Sequence, residues 1–175
     1  MDRRDILLKQ IAKYSIFAFA VFVLYILQST PGFLSVFGIK PVFMLPFCIV
    51  LAMMDESWQA GLVYIMGGML TDLSSSRIVG IYSILLLLVC FMAIISVKFF
   101  FKPSLRNIYT YNLLAMVIML SVDFFFSFMF GGFTGKLFYY FKSVLLVSIY
   151  SSVFSIPFYF FIDFINLRFI RFDAR

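Results

Sequence analysis

Residues Ile78–Val97 read IVGIYSILLLLVCFMAIISV, a stretch without one charged side chain. About 20 apolar residues in a helix rising 1.5 Å per residue match a hydrocarbon core of roughly 30 Å. Working outward, five further apolar runs cover about residues 11–27, 33–54, 58–73, 108–130 and 143–164. The runs are continuous and do not alternate, so they predict helices and not the strands of an outer-membrane barrel. The expected fold is all-α: six transmembrane helices in a compact bundle, one integral membrane domain over residues 1–175.

Composition agrees. Of the 175 residues, 64% are hydrophobic and 13% charged, with a mean hydropathy of +1.08. That leaves too little polar surface to coat a water-exposed globule. The first run follows a basic start at Arg3 and Arg4, but no small-x-small cleavage site follows it. It is therefore expected to stay as a span.

The residue counts remove several kinds of chemistry. The chain has no histidine, which excludes Ser-His-Asp and Cys-His nucleophiles and histidine metal sites. Cys48 and Cys90 lie far apart in apolar runs, as small buried hydrophobes do. Glu56 is the lone glutamate, so paired-glutamate acid/base chemistry is not available. No catalytic residue, metal site or cofactor is expected. The net charge of +6 is scattered over run ends, which argues against nucleic acid as a partner.

Those basic residues instead predict orientation. With the N-terminus inside, the N-terminal segment, the 98–106 connection and the tail hold ten of them. Lys40, Arg77, Lys136 and Lys142 would lie outside. Both termini are thus expected in the cytoplasm. Trp58, Tyr109, Tyr111, Tyr139 and Tyr140 fall at run ends, where amphipathic rings favour the headgroup zone. The Phe99–Phe101 and Phe124–Phe126 triplets read as lipid-facing bulk.

Ionisable residues in lipid are costly, which makes each a candidate contact. Asp72 opens a run of hydroxyls between two spans and suits an Asx-type turn or a helix cap. Asp123 is expected to be protonated or paired with Lys136 or Lys142. Asp163 is expected to pair with tail arginines. Neither Asp72 nor Asp123 sits in motifs that would make an intramembrane aspartyl pair. Gly61, Gly67 and Gly68 form a small-residue face on the third run, on the side of Asp72. Gly61, Gly68, Asp72 and Asp123 are therefore the candidate partner-binding or structural polar contacts. This face is expected to pack against a neighbouring helix within the bundle; a foreign single-span helix docked there, against Gly68, is the sharper alternative.

These residues also carry a resemblance. A first span ending in Gln28 is followed by Lys40-Pro41, then Met54-Asp55-Glu56-Ser57-Trp58. Gly61 leads to Gly68-Met69-Leu70-Thr71-Asp72-Leu73, then Gly80-Ile81-Tyr82-Ser83, with Ile156-Pro157 and a basic tail near the end. In order and spacing the chain resembles the MreD family of bacterial rod shape-determining membrane proteins over nearly its whole length. Val42 and Ser74-Ser75-Ser76 depart from that pattern. The resemblance implies a non-enzymatic membrane scaffold of the cell-elongation machinery in the bacterial inner membrane. It implies an MreC-like single-span protein, an MreB-like filament, a RodA and penicillin-binding-protein synthase, and membrane lipid as partners. It also implies a bundle like the substrate-binding subunit of energy-coupling-factor vitamin transporters. That subunit's own function is the competing reading. By resemblance it needs an Ala-x-x-x-Ala stripe on the first helix, a spacing that Ala12, Ala18 and Ala20 do not have.

Overall fold

The computed structural model describes residues 3–30, 40–55, 57–74, 80–100, 102–131 and 137–173. Its side-chain description covers 8–30, 40–55, 57–73, 80–100, 102–123, 125 and 144–169. The described residues are helical or irregular, with no strand among them. In chain order the helices are α1 (Arg3–Ser29), α2 (Met44–Met54), α3 (Trp58–Ser74), α4 (Ile81–Phe99), α5 (Leu105–Gly131), α6 (Leu137–Val153) and α7 (Ser155–Asp173). Four stretches are long and apolar enough to cross a membrane: Leu8–Ser29, Ile81–Phe99, Leu105–Asp123 and Val144–Phe169. This is a helical membrane protein.

The second run departs most from expectation. Of the stretch expected to span 33–54, residues 31–39 lie outside the described residues and Lys40–Phe43 is not helical. Pro41 has no amide hydrogen and disfavours helical geometry at the residue before it. The helix that follows, α2, has 11 residues. At 1.5 Å per residue that is about 16 Å, roughly half a hydrocarbon core. Ten of its residues, Met44 to Met53, are buried, and α1, α3, α4, α5 and α7 all pack against it. A helix that is apolar on every side belongs in an interior. Here it is the axis of the bundle.

Around α2 the other helices turn one face inward. On α1 that face is Phe17 and Val21, on α4 Leu86, Cys90 and Ala93, and on α5 Ile108, Ala115, Met116 and Met119. The spacings of three and four residues are those of a single helical face. Aromatic edges join the layers. Phe47 meets Phe17 at 6.5 Å and Phe158 at 5.5 Å between ring centroids, and Phe43 meets Phe154 at 4.8 Å. Phe99, Phe100 and Phe125 instead face outward. Tyr111 is no headgroup ring, because its hydroxyl donates to the Val89 carbonyl at 3.1 Å.

The sixth run breaks at Phe154 into α6 and α7. Pro157 cannot donate to the carbonyl four residues back, so the helical ladder fails there. Serines take up the slack: Ser152 Oγ donates to the Ile149 carbonyl and Ser155 Oγ to the Ser152 carbonyl, at 2.9 and 2.6 Å. In lipid, hydroxyls of this kind keep a broken helix tolerable.

Candidate functional site

Polar groups gather at three places, and each closes a gap between helices. The first joins α3 to α4. Asp72, 2% exposed, accepts from the Tyr82 and Ser83 amides at 3.0 and 3.2 Å and from the Ser83 hydroxyl at 2.6 Å. Helix N-termini leave their first amides without internal partners, and a carboxylate there also meets the positive end of the helix dipole. Asp72 thus caps the next helix across the connection. Gly80 makes the entry to α4 possible with φ +102°, a conformation that side chains oppose. One turn before Asp72, a Cβ on Gly68 would lie 2.5 Å from the Ser83 Cα. The helices touch backbone to backbone at that point.

At Gly68 the small-residue face packs within the bundle, and only the sharper alternative of a foreign helix there is overturned. Gly68 is already filled by α4, so no foreign helix can dock against it. Gly67 faces α2 instead, its Cβ position 3.0 Å from Cys48 Sγ. Only at Gly61 is the face open, with nothing within 4 Å of the Cβ position. Asp123 is half-buried on α5. Its expected partners Lys136 and Lys142 lie outside the described side chains. Of the tail arginines expected to pair with Asp163, Arg171 also lies outside them, and Arg168, described and exposed, makes no ion pair with it.

The second cluster holds the opposite end of α3 to α1 and α2. Asp55, just after α2, accepts from Lys13 Nζ at 2.7 Å and from the Tyr14 hydroxyl at 3.0 Å through Oδ2. Its Oδ1 accepts from the Ser57 amide and hydroxyl at 3.1 and 2.6 Å, and Tyr14 and Ser57 also share a hydrogen bond. The Lys13 and Asp55 side chains are 19% and 9% exposed, so salt screens the pair less than a surface pair. Burial pushes the Asp55 carboxyl up. The hydrogen bonds from Lys13 and Ser57 and the Lys13 charge outweigh it and hold the group below its ordinary value of 3.8. A lowered carboxylate adds stability above its unfolded value, and that stability is lost as pH falls through the folded one. The stability advantage of the native chain over Asp55→Asn should therefore be full at neutral pH and shrink below about pH 4. Thermal unfolding in detergent across that range checks it; a constant advantage would refute the ionic role.

The third cluster starts α2. Gln28 Oε1 accepts from the Phe43 and Met44 amides at 3.1 and 3.2 Å, and Ser151 Oγ accepts from the Val42 amide at 2.9 Å. Pro46 sits in the first turn, where its missing donor costs nothing. A helix that begins inside a bundle needs its donors met by neighbours, and α1 and α6 meet them. Beside this start lies a cavity of about 430 Å³ lined by Tyr25, Gln28, Ser29, Lys40, Pro41 and Val42.

Two features escaped the sequence reading altogether. Asn112 is fully buried on the inner stripe of α5, and neither polar atom of its amide has a hydrogen-bond partner among the described residues. An asparagine inside a span was the visible signal. The other is a groove of about 470 Å³ between α1 and α3. Ser15, Ala18 and Ile11 form one side of it, and Trp58, Leu62 and Met66 the other. Trp58 is 76% and Leu62 58% exposed, and a hydrogen bond between Gln59 and Gln10 crosses one end at 3.3 Å. No group of three histidine, cysteine or carboxylate side chains converges among the described residues. Comparison with protein-family models, curated proteins and solved structures finds no match.

Proposed function

We propose that the chain is a membrane scaffold that binds other proteins' helices laterally and performs no reaction. The groove between α1 and α3 carries this reading. Helices associate in lipid by close packing and a few polar contacts. The groove offers low walls at Ser15 and Ala18, apolar surface at Leu62 and Met66, and amides at its rim. Gly61 adds a second place where a backbone can come close. Asp55, Asp72, Gln28 and Ser151, which would otherwise suggest chemistry, are engaged in joining helices. With the resemblance to the MreD family, this supports a role in the cell-elongation machinery of a rod-shaped bacterium. It would cross the inner membrane six times with both termini in the cytoplasm, the second crossing made by the short α2 together with the non-helical residues 40–43 before it. An MreC-like single-span protein would occupy the groove, and the filament and the synthase would be neighbours.

The test is co-purification with a co-expressed MreC-like partner. Ser15→Trp and Ala18→Trp fill the groove from outside the bundle, so expression and monodispersity should hold while recovered partner falls several-fold. Undiminished recovery with both variants would remove the groove from the proposal.

The alternative, a substrate-binding subunit of a vitamin transporter, draws on the half-length α2 and the break at Phe154. Interrupted helices often present free donors to a substrate. Here the amides of Val42, Phe43 and Met44 are already bonded to Ser151 and Gln28. The scaffold reading is the stronger one.

A further inference from the structure

The connection between α4 and α5 carries Lys98, Lys102 and Arg106, with Phe99 and Phe100 among them. All three cations are exposed, and none has a carboxylate partner among the described residues. No acidic residue occurs anywhere between Asp72 and Asp123. Among the described residues this charge is therefore uncompensated. Phe99 and Phe100 are 71% and 75% exposed beside it.

From Lys102 onward the backbone is tied to α5. The Ser104 amide and Asn107 Nδ2 both donate to the Lys102 carbonyl, at 2.8 and 3.1 Å, and the Ile108 amide donates to the Ser104 carbonyl at 2.9 Å. Lys102 is thereby tied to the first turn of α5, where Arg106 lies. Lys98 sits in the last turn of α4, where a cation also suits the helix dipole. The segment joins two helices of crossing length, so it stands at the depth of lipid headgroups. Lys13 shows the contrast: it too is basic, but its charge is taken by Asp55.

The geometry points to a headgroup site: Lys98, Lys102 and Arg106 hold the phosphate of an anionic glycerophospholipid, and Phe99 and Phe100 lie against its acyl chains. Charge complementarity selects this occupant. Basic residues beside a span attract anionic lipid, and aromatic rings favour the boundary between headgroup and chain. The inference needs only that α4 and α5 cross the membrane, and it stands or falls apart from the scaffold reading.

Native mass spectrometry of the full chain in mild detergent, titrated with phosphatidylglycerol or phosphatidylcholine, tests it. The native chain should retain phosphatidylglycerol in preference, and added salt should erode that preference. Replacing Lys98, Lys102 and Arg106 together with glutamine should weaken phosphatidylglycerol binding by about tenfold or more. Lys102→Gln alone should show a smaller loss, which covers the case of a triple variant that fails to fold. Lys40→Gln, a change elsewhere on the chain, should bind as the native protein does. Equal retention of the two lipids would overturn the site, as would a folded triple variant with native binding.

Discussion

Gly68→Ala is expected to destabilise the bundle by about 2–3 kcal/mol, although it adds a single methyl group. The new carbon would lie 2.5 Å from the Ser83 Cα. What it meets is backbone, which cannot swing aside like the end of a flexible side chain. The collision can be relieved only by moving α4 away from α3, and that movement also pulls the Tyr82 and Ser83 amides from Asp72. Gly61→Ala should do the reverse. Its Cβ position is open, and alanine in a helix is favoured over glycine by up to about 1 kcal/mol. Thermal unfolding of the two variants in detergent should place their midpoints on opposite sides of the native value. Equal midpoints would mean that α3 and α4 do not touch at Gly68.

Asp72→Ala should cost about 3 kcal/mol, since it removes the acceptor of three hydrogen bonds and leaves the part-buried Tyr82 and Ser83 amides without it. For a chain of this length, that is a fall in unfolding midpoint of about 10 °C. Asp72→Asn keeps one carbonyl acceptor but turns an amide donor toward other donors, so its loss should fall between native and alanine. Opposite roles for Asp72 predict opposite readouts. A structural cap loses stability before any partner is added. A partner contact keeps its midpoint and loses only the complex. A variant with native stability and no complex would therefore move Asp72 out of the fold and onto an interface.

The two residues differ in how far the sequence disclosed them. Asp72 was visible as a capping residue because an aspartate before a run of hydroxyls has few other uses between spans. Its target was not: the Tyr82 and Ser83 amides, ten and eleven positions on, reach it only because α4 folds back against α3. At Gly68 packing within the bundle and a foreign helix both stayed open, because spacing locates a face but not what covers it. Lys13 and Asp55 were hidden from each other by 42 intervening residues. Lys13 read as a flank that sets orientation, and its engagement with the one connection lacking a basic residue appears only on folding. Gln28 was known only as the end of a span. That its side chain starts a helix 15 residues later depends on α1 and α2 lying side by side.

Local chemistry was enough to establish that this chain is helical and belongs in a membrane. In hydrocarbon a backbone must satisfy its own hydrogen bonds, and the side chains of each segment report that requirement without reference to any other segment. The folded arrangement alone decided that the shortest apolar helix is the centre of the bundle, that Gly68 is closed and Gly61 open, and that a groove remains between α1 and α3. Those outcomes depend on which distant faces meet. Apolar residues look alike to lipid and to one another, so hydropathy carries no record of that choice.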